Sequence, residues 1–264
     1  KFLPADTQIY FSLNLRPGND QLKKFRDILA RFREHPSFQS KTDELLDDAK
    51  VETGVDLKED VLPWLGPELA IGFVNVVGSS VGAATGGAPL IVAMLGTSDP
   101  VQALSVIQDW TRYLAQEEGL KFATETYEGL TVFSEQDDEQ HYVVMEDYVL
   151  FATDRDLLED TIDRVRDGNT TGSLYASPRF QQARDALPDP RFSTMYLDSE
   201  AVWKDARLQL GDTLPAQVRR QLNDLIPEWV TVSGSLLDMG TKLVVSYATP
   251  EEVLETPIPT NSRA

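Results

Sequence analysis

Between Lys121 and Thr153 four short runs alternate polar and apolar residues: Lys121 to Thr126, Leu130 to Ser134, Gln140 to Met145 and Tyr148 to Thr153. Tyr127-Glu128-Gly129, Asp137-Asp138-Glu139 and Glu146-Asp147 separate them as turns. A period of two sends successive side chains to opposite faces, and connections this short join only antiparallel neighbours. The segment therefore predicts an antiparallel meander whose apolar face needs a cover. Helical patterns lie on both sides of it. Asp99 at the N-cap, Pro100 at N1, Gln102 as capping-box partner, apolar Val101, Leu104, Ile107, Trp110 and Leu114, and Gly119 as a stop define one helix. Asp154 to Arg166, with Leu157, Leu158, Ile162 and Val165 on one side, defines another.

The rest of the chain follows the same alternation of types. Thr7 to Leu15 reads as a strand punctuated by Pro17-Gly18-Asn19-Asp20, and Leu22, Phe25, Ile28, Leu29 and Phe32 follow at helical spacing up to His35-Pro36. A second, polar helix runs from Phe38 to about Val51. A short amphipathic turn, Leu57 to Leu65, then leads through Trp64-Leu65-Gly66-Pro67 into a strand, Leu69 to Val77, and a further strand spans Leu90 to Leu95. The most linker-like interior stretch is Gly168 to Ser173. A helix capped by Ser177-Pro178, a strand from Phe192 to Asp198, helices near Ala201 to Leu210 and Pro215 to Ile226, and a hairpin of Trp229 to Leu237 with Thr241 to Ala248 complete the pattern. Pro250, Pro257 and Pro259 mark an extended tail. Leu3-Pro4-Ala5-Asp6 before Tyr10-Phe11-Ser12-Leu13-Asn14 is echoed by Leu187-Pro188-Asp189-Pro190 before Met195-Tyr196-Leu197-Asp198. A second echo, Pro36-Ser37-Phe38-Gln39 against Pro178-Arg179-Phe180-Gln181, fits another register.

Composition removes whole classes of function. With 43 acidic and 24 basic side chains the net charge is −19, which argues against nucleic acid and against anionic membrane surfaces, since both are held by clustered Lys and Arg. The absence of cysteine excludes disulfides, thiolate metal sites and a cysteine nucleophile. No apolar run approaches the roughly 18 residues of a spanning helix. The chain begins at Lys1, so an upstream signal or anchor is compatible with it.

Each motif with catalytic overtones has a plainer reading. Gly78-Ser79-Ser80-Val81-Gly82 is a literal G-x-S-x-G, and Ser80 with His141 would suggest a hydrolase. A nucleophile elbow requires a helix after the turn, whereas here a flexible, uncharged Gly78 to Gly87 connection and another strand follow. The same glycines lack the Gly-Lys-Ser/Thr closure of a phosphate loop. His35 before Pro36 is placed to meet the last carbonyls of a helix, and His141 opens a strand; neither has metal-ligand spacing. From Glu135 to Asp167 twelve acids face three arginines, and the Asp137-Asp138-Glu139 turn offers oxygens to calcium. No EF-hand loop is present, so a solvated face is the expected role. Trp64, Trp110, Trp203 and Trp229 sit in apolar patterns as core residues, with a ligand-lining role for Trp64 or Trp229 as the alternative.

Leu3-Pro4-Ala5-Asp6-Thr7 before a Tyr-Phe-Ser-Leu strand, Asp60-Val61-Leu62-Pro63-Trp64-Leu65-Gly66-Pro67-Glu68 before an apolar strand, and Tyr175-Ala176-Ser177-Pro178-Arg179-Phe180 before a Leu-Pro turn together mark a resemblance. The chain resembles a bacterial family catalogued as domain of unknown function thirty-three fifty-two. These motifs are loop entries, caps and turns. The resemblance implies a domain outside the cytoplasm behind an N-terminal membrane segment, and it implies no activity, cofactor or catalytic residue.

The expectations are then an α+β fold, mostly antiparallel with helices packed on the sheet, built from two related halves (1–168 and 173–249) and ending in a Pro-rich tail (250–264). The expected function is a non-catalytic extracytoplasmic module of a bacterial envelope, structural or binding an unknown protein or envelope partner. It would meet the membrane only through an absent N-terminal anchor and use no metal or cofactor. Two alternatives stand beside it: a carrier of an apolar small molecule or lipid in a helix-to-sheet cleft, with Gly78 to Gly87 as lid, and a serine hydrolase using Ser80.

Overall fold

The structure, a computed structural model, describes residues 1–16, 18–76, 90–136, 140–210, 215–238 and 240–248. Ten strands form one antiparallel sheet: β1 (Thr7–Asn14), β2 (Leu65–Val74), β3 (Leu90–Thr97), β4 (Phe122–Tyr127), β5 (Leu130–Glu135), β6 (His141–Val144), β7 (Tyr148–Ala152), β8 (Ser193–Leu197), β9 (Val230–Leu237) and β10 (Gly240–Tyr247). Their order across the sheet is β10-β9-β8-β1-β2-β3-β7-β6-β5-β4. The α+β expectation and the meander are both realised. The first strand lies in the middle, hydrogen-bonded to β2 on one side and to β8 on the other. Gly168 to Ser173, the linker-like stretch, is tied to the N-terminus by Ala5 N–H to Gly172 O, Leu174 N–H to Leu3 O and a bridge between Pro4 and Ser173.

The helices are α1 (Asn19–Arg33), α2 (Pro36–Thr53), α3 (Pro100–Glu117), α4 (Arg155–Arg166), α5 (Pro178–Asp185), α6 (Ser199–Leu210) and α7 (Ala216–Leu225), with a wide single turn at Leu57–Val61. The register explains why the meander is buried on both sides. Val92, Ala152, Leu150, Val143 and Val132 share one face and pack with Leu157, Leu158 and Ile162 of α4 and Phe180 and Ala183 of α5. Phe133, Tyr142 and Val149, one residue out of phase, share the other face with Ala103 and Ile107 of α3 and with Trp64. On the first face Phe180 stands edge-on between Tyr10 and Tyr196, with ring centroids 5.3 and 5.1 Å away.

Local chemistry sets the helix boundaries. Asp99 accepts from Gln102 N–H at 3.0 Å and Asp154 from Leu157 N–H at 2.8 Å, each filling an otherwise empty donor at a helix start. The predicted Ser177 cap is corrected: its side chain makes no capping bond, and Pro178 at the first position starts α5. Gly54 ends α2 in the left-handed region at φ 68°, where a Cβ would lie 2.5 Å from the ring of Tyr113. Tyr113 in turn donates to Val51 O at 2.9 Å, so the end of α2 is clamped to α3. Gly66 lets β2 approach β3, since a Cβ there would meet the Gly96 carbonyl carbon at 2.5 Å.

Candidate interaction surface

The face of the sheet that α3 covers over the meander continues across the other half of the molecule with a looser cover. Pairing places Leu243, Val245 and Tyr247 of β10 beside Gly234, Val232 and Val230 of β9, and those beside Ser193, Met195 and Leu197 of β8. Alternation thus gathers the apolar side chains of three strands on one face. Leu243 is 68% exposed, Val245 59%, Tyr247 61% and Met195 44%. Further inward, Ile9, Phe11, Leu13, Ile71, Phe73 and Ile91 share this face and are all half-buried. On the opposite face β10 is engaged: Ser246 Oγ donates to Ala186 O, and Ala248 joins the core around Trp229.

The two edges of the sheet differ. At β4 the exposed side chains are Thr124, Glu125 and Thr126, with Glu125 3.6 Å from the Arg155 guanidinium. At β10 they are Thr241, Lys242, Leu243, Val245 and Tyr247. Each edge carries one exposed charged side chain, the usual protection against pairing, and β10 differs from β4 in setting its lysine among exposed apolar residues.

Ser80 and the Gly78 to Gly87 connection lie outside the described residues, as do Asp137-Asp138-Glu139 and the tail. His141 lies opposite Ser134 across β6 and β5, its Nδ1 2.8 Å from Ser134 Oγ. His35 departs from expectation. Its ring meets Ser37 Oγ at 2.7 Å at the start of α2, while its backbone N–H donates to Phe32 O at the end of α1. Several acids of 135–167 are engaged in structure: Asp154 caps α4, Glu159 pairs with Arg155 at 2.5 Å, and Asp163 accepts from Tyr127 Oη. Among the described residues no three His, Asp or Glu side chains cluster in a way that could hold a metal ion.

Trp64 and Trp229 are buried, in keeping with core packing, although neither indole N–H meets an acceptor among the described residues. Trp203 is the exception that the sequence pattern missed. It lines a cleft of about 310 Å³ with Glu200, Arg207, Asn223, Ile226 and Glu228, and its Nε1 donates to Asn223 Oδ1 at 2.7 Å. A neighbouring charge group joins Arg179 to Asp198 and Glu200. Burial opposes the charge of Arg179, yet the two carboxylates hold its guanidinium above the usual arginine range. A larger cleft, about 440 Å³, opens between the end of α4 and the meander. Its lining of Glu128, Glu146, Asp147 and Arg166 beside Leu130, Met145 and Val165 is poorly suited to an apolar guest.

No characterised protein in the curated comparison matches the chain. Among solved structures, crystal forms III, I and IV of TP0453 align with TM-scores of 0.45, 0.44 and 0.45 at 9%, 8% and 9% identity. The alignments cover 93%, 95% and 93% of this chain and 77%, 78% and 78% of the other. Likeness at that level supports no argument about this protein. A family model does match, over residues 1–240, and it spans the central strand, both faces of the sheet and the β8-β9 strip, so the chain belongs to the family described as protein of unknown function (DUF3352).

Proposed function

We propose that this chain is a non-catalytic binding module of a bacterial cell envelope, working outside the cytoplasm, that docks an envelope partner against the open apolar face of β8, β9 and β10. The observation that carries the reading is the row Leu243, Val245 and Tyr247 standing largely in solvent at an edge strand, next to Met195. Contiguous apolar surface of this kind marks interaction sites, and an edge strand adds main-chain hydrogen bonds to what a partner can use.

The test is site-specific photocrosslinking in the producing cell. A benzophenone side chain replacing Tyr247 is expected to give a discrete adduct that disappears when Leu243→Asp and Val245→Asp are added. The same group at Val101, exposed on α3, is expected to give none. Equal adducts at both sites, or none at Tyr247, would count against the reading. An esterase activity lost on Ser80→Ala would overturn the non-catalytic part of it.

A second reading, a carrier for an apolar small molecule or lipid, draws on the half-buried Ile9, Phe11, Ile71, Phe73 and Ile91 on the same face. Native mass spectrometry would favour it by showing a discrete lipid-sized adduct on the 29.4 kDa chain. A bare chain mass would count against it.

A further inference from the structure

The backbone of β10 constrains what can occupy this strip as much as its side chains do. Along an antiparallel strand, residues alternate between those that exchange both main-chain hydrogen bonds with a given neighbour and those that exchange none with it. On β9 the even-numbered residues are taken on the β8 side. Gly234 O accepts from Phe192 N–H at 2.9 Å, and Leu236 donates its N–H to Gln21 Oε1 at 2.8 Å and accepts from Gln21 Nε2 at 3.2 Å. The odd-numbered residues therefore face β10, as Trp229 O does in accepting from Ala248 N–H at 3.2 Å. With Lys242 opposite Ser235, Val244 opposite Ser233 and Ser246 opposite Thr231, the inner row of β10 belongs to its even-numbered residues. The N–H and C=O groups of Thr241, Leu243, Val245 and Tyr247 point the other way, where no strand follows β10 among the described residues.

Backbone direction and side-chain face alternate together along a strand, so Leu243, Val245 and Tyr247 present outward donors and acceptors at the same positions as their exposed apolar side chains. An added strand would meet each of them as a hydrogen-bonded pair, with its own side chains on the same face. A helix or a lipid would cover the apolar groups and leave the outward N–H and C=O groups unmatched. Lys242 lies between these positions on the other face. It is exposed, makes no ion pair among the described residues, and is the one charged side chain from Thr241 to Tyr247. The residue that complements it across an added strand is an acid. A second copy of β10 brings no acid to that position, since Thr241 to Tyr247 holds none, and it brings a further charge of −19 with it.

We infer that the envelope partner of the reading above, on which this inference rests, contributes an extended segment that pairs antiparallel along β10, with apolar residues opposite Leu243, Val245 and Tyr247 and an acid opposite Lys242. Main-chain hydrogen bonds to the outward row supply affinity, and the alternate side chains supply specificity. The partner segment then reads, from the position opposite Tyr247 to the one opposite Lys242, as apolar residues at every second place followed by the acid.

Fluorescence anisotropy of the full chain with a labelled peptide, Val-Thr-Val-Thr-Ile-Glu-Val, tests it, because that order runs from the position opposite Tyr247 to the one opposite Thr241. The chain is expected to bind the peptide. Methylating the backbone nitrogens of the third and fifth peptide residues, which would donate to Val245 O and Leu243 O, should weaken binding about tenfold or more, and methylating the second and fourth, which point away, should change it little. Val245→Pro keeps an apolar side chain and the bonds to β9 but removes one outward donor, a change that an edge strand tolerates; it should weaken binding about tenfold, with circular dichroism confirming the fold. Lys242→Glu should weaken it about two- to fivefold, and a peptide with lysine in place of its glutamate should restore it. In the cell, the adduct from the benzophenone at Tyr247 should be lost in Val245→Pro. No adduct in the wild type removes the reading and this inference together, whereas an adduct that persists in Val245→Pro leaves the reading standing and overturns the inference. Peptide binding that is absent, or indifferent to which nitrogens are methylated, overturns it as well. So does a dimer in native mass spectrometry that Val245→Pro dissolves, which would give the edge to a second copy, or binding gained only when residues 249–264 are removed, which would give it to the chain's own end.

Discussion

Replacing Leu243 and Val245 by threonine asks whether the β10 strip belongs to the fold or to an interaction. Fully burying a leucine or valine side chain is worth about 1.5–3 kcal/mol. With about a third of Leu243 and about two-fifths of Val245 covered, each contributes at most about 1 kcal/mol to the isolated chain. Threonine keeps a β-branch and one methyl and suits a strand, so part of that is retained. The double variant should therefore unfold in urea with a loss of about 1 kcal/mol. Val143→Thr supplies the reference, because Val143 is fully buried between the sheet and α4 and the new hydroxyl would have to be desolvated there. That single change should cost about 1–3 kcal/mol. Binding of a fluorescent hydrophobic dye should fall in the β10 double variant and not in Val143→Thr. A loss of more than about 3 kcal/mol in the β10 variant, or unchanged dye binding, would show that these side chains are packed in the fold, and the argument for an open surface would collapse.

Other positions test the architecture. Ile162→Ala removes a fully buried side chain where α4 meets the sheet and should cost about 2–5 kcal/mol in urea unfolding. Gly54→Ala forces a left-handed residue against the Tyr113 ring; about 2 kcal/mol should be lost, with faster amide exchange at the end of α2. Asp99→Ala and Asp154→Ala each empty an N-cap and should each cost about 1 kcal/mol, seen as lower midpoints of thermal unfolding. Burial pushes the phenols of Tyr142 and Tyr196 well above the ordinary value near 10, with Glu135 adding to it at the first and Asp198 at the second. At alkaline pH the folded chain thus binds more protons than the unfolded one. Stability is complete below about pH 10 and falls above it, by about 1.4 kcal/mol per pH unit for each phenol. Absorbance at 295 nm should show these two tyrosines ionising only as the protein unfolds.

Much of this fold was legible because local signals and long-range packing agree in it. The meander is written in alternation and turns, and α3 and α4 in their aspartate caps, so these elements appear within a residue or two of their predicted bounds. Strand order was not legible, since nothing local in Tyr10-Phe11-Ser12 says that β8 will lie beside it; that pairing joins residues far apart in the chain. The echo between the two Leu-Pro segments predicts a shared order of elements. In the structure β1 and β8 are each followed by two helices and lead to hairpins β2-β3 and β9-β10, lying antiparallel at the centre. Superposing residues 7–97 on 193–247 tests whether that order reflects related halves. The candidate surface was hidden for a different reason. Leu243, Val245 and Tyr247 read as ordinary alternating strand residues, and only the fold reveals that β10 is an edge with that face open.

Exposed apolar residues at a sheet edge carry a cost, because two copies can pair through them. At the edges of the sheet β4 exposes only Glu125 and two threonines, whereas β10 exposes Leu243, Val245 and Tyr247 beside Thr241 and Lys242. The charge of −19 makes that arrangement workable. Acids spread over helix caps, ion pairs and outward faces keep copies apart at a distance without filling the strip itself, which holds no acid from Thr241 to Tyr247. A surface kept soluble by remote charge and left uncharged where it is open is suited to receive something other than another copy of itself.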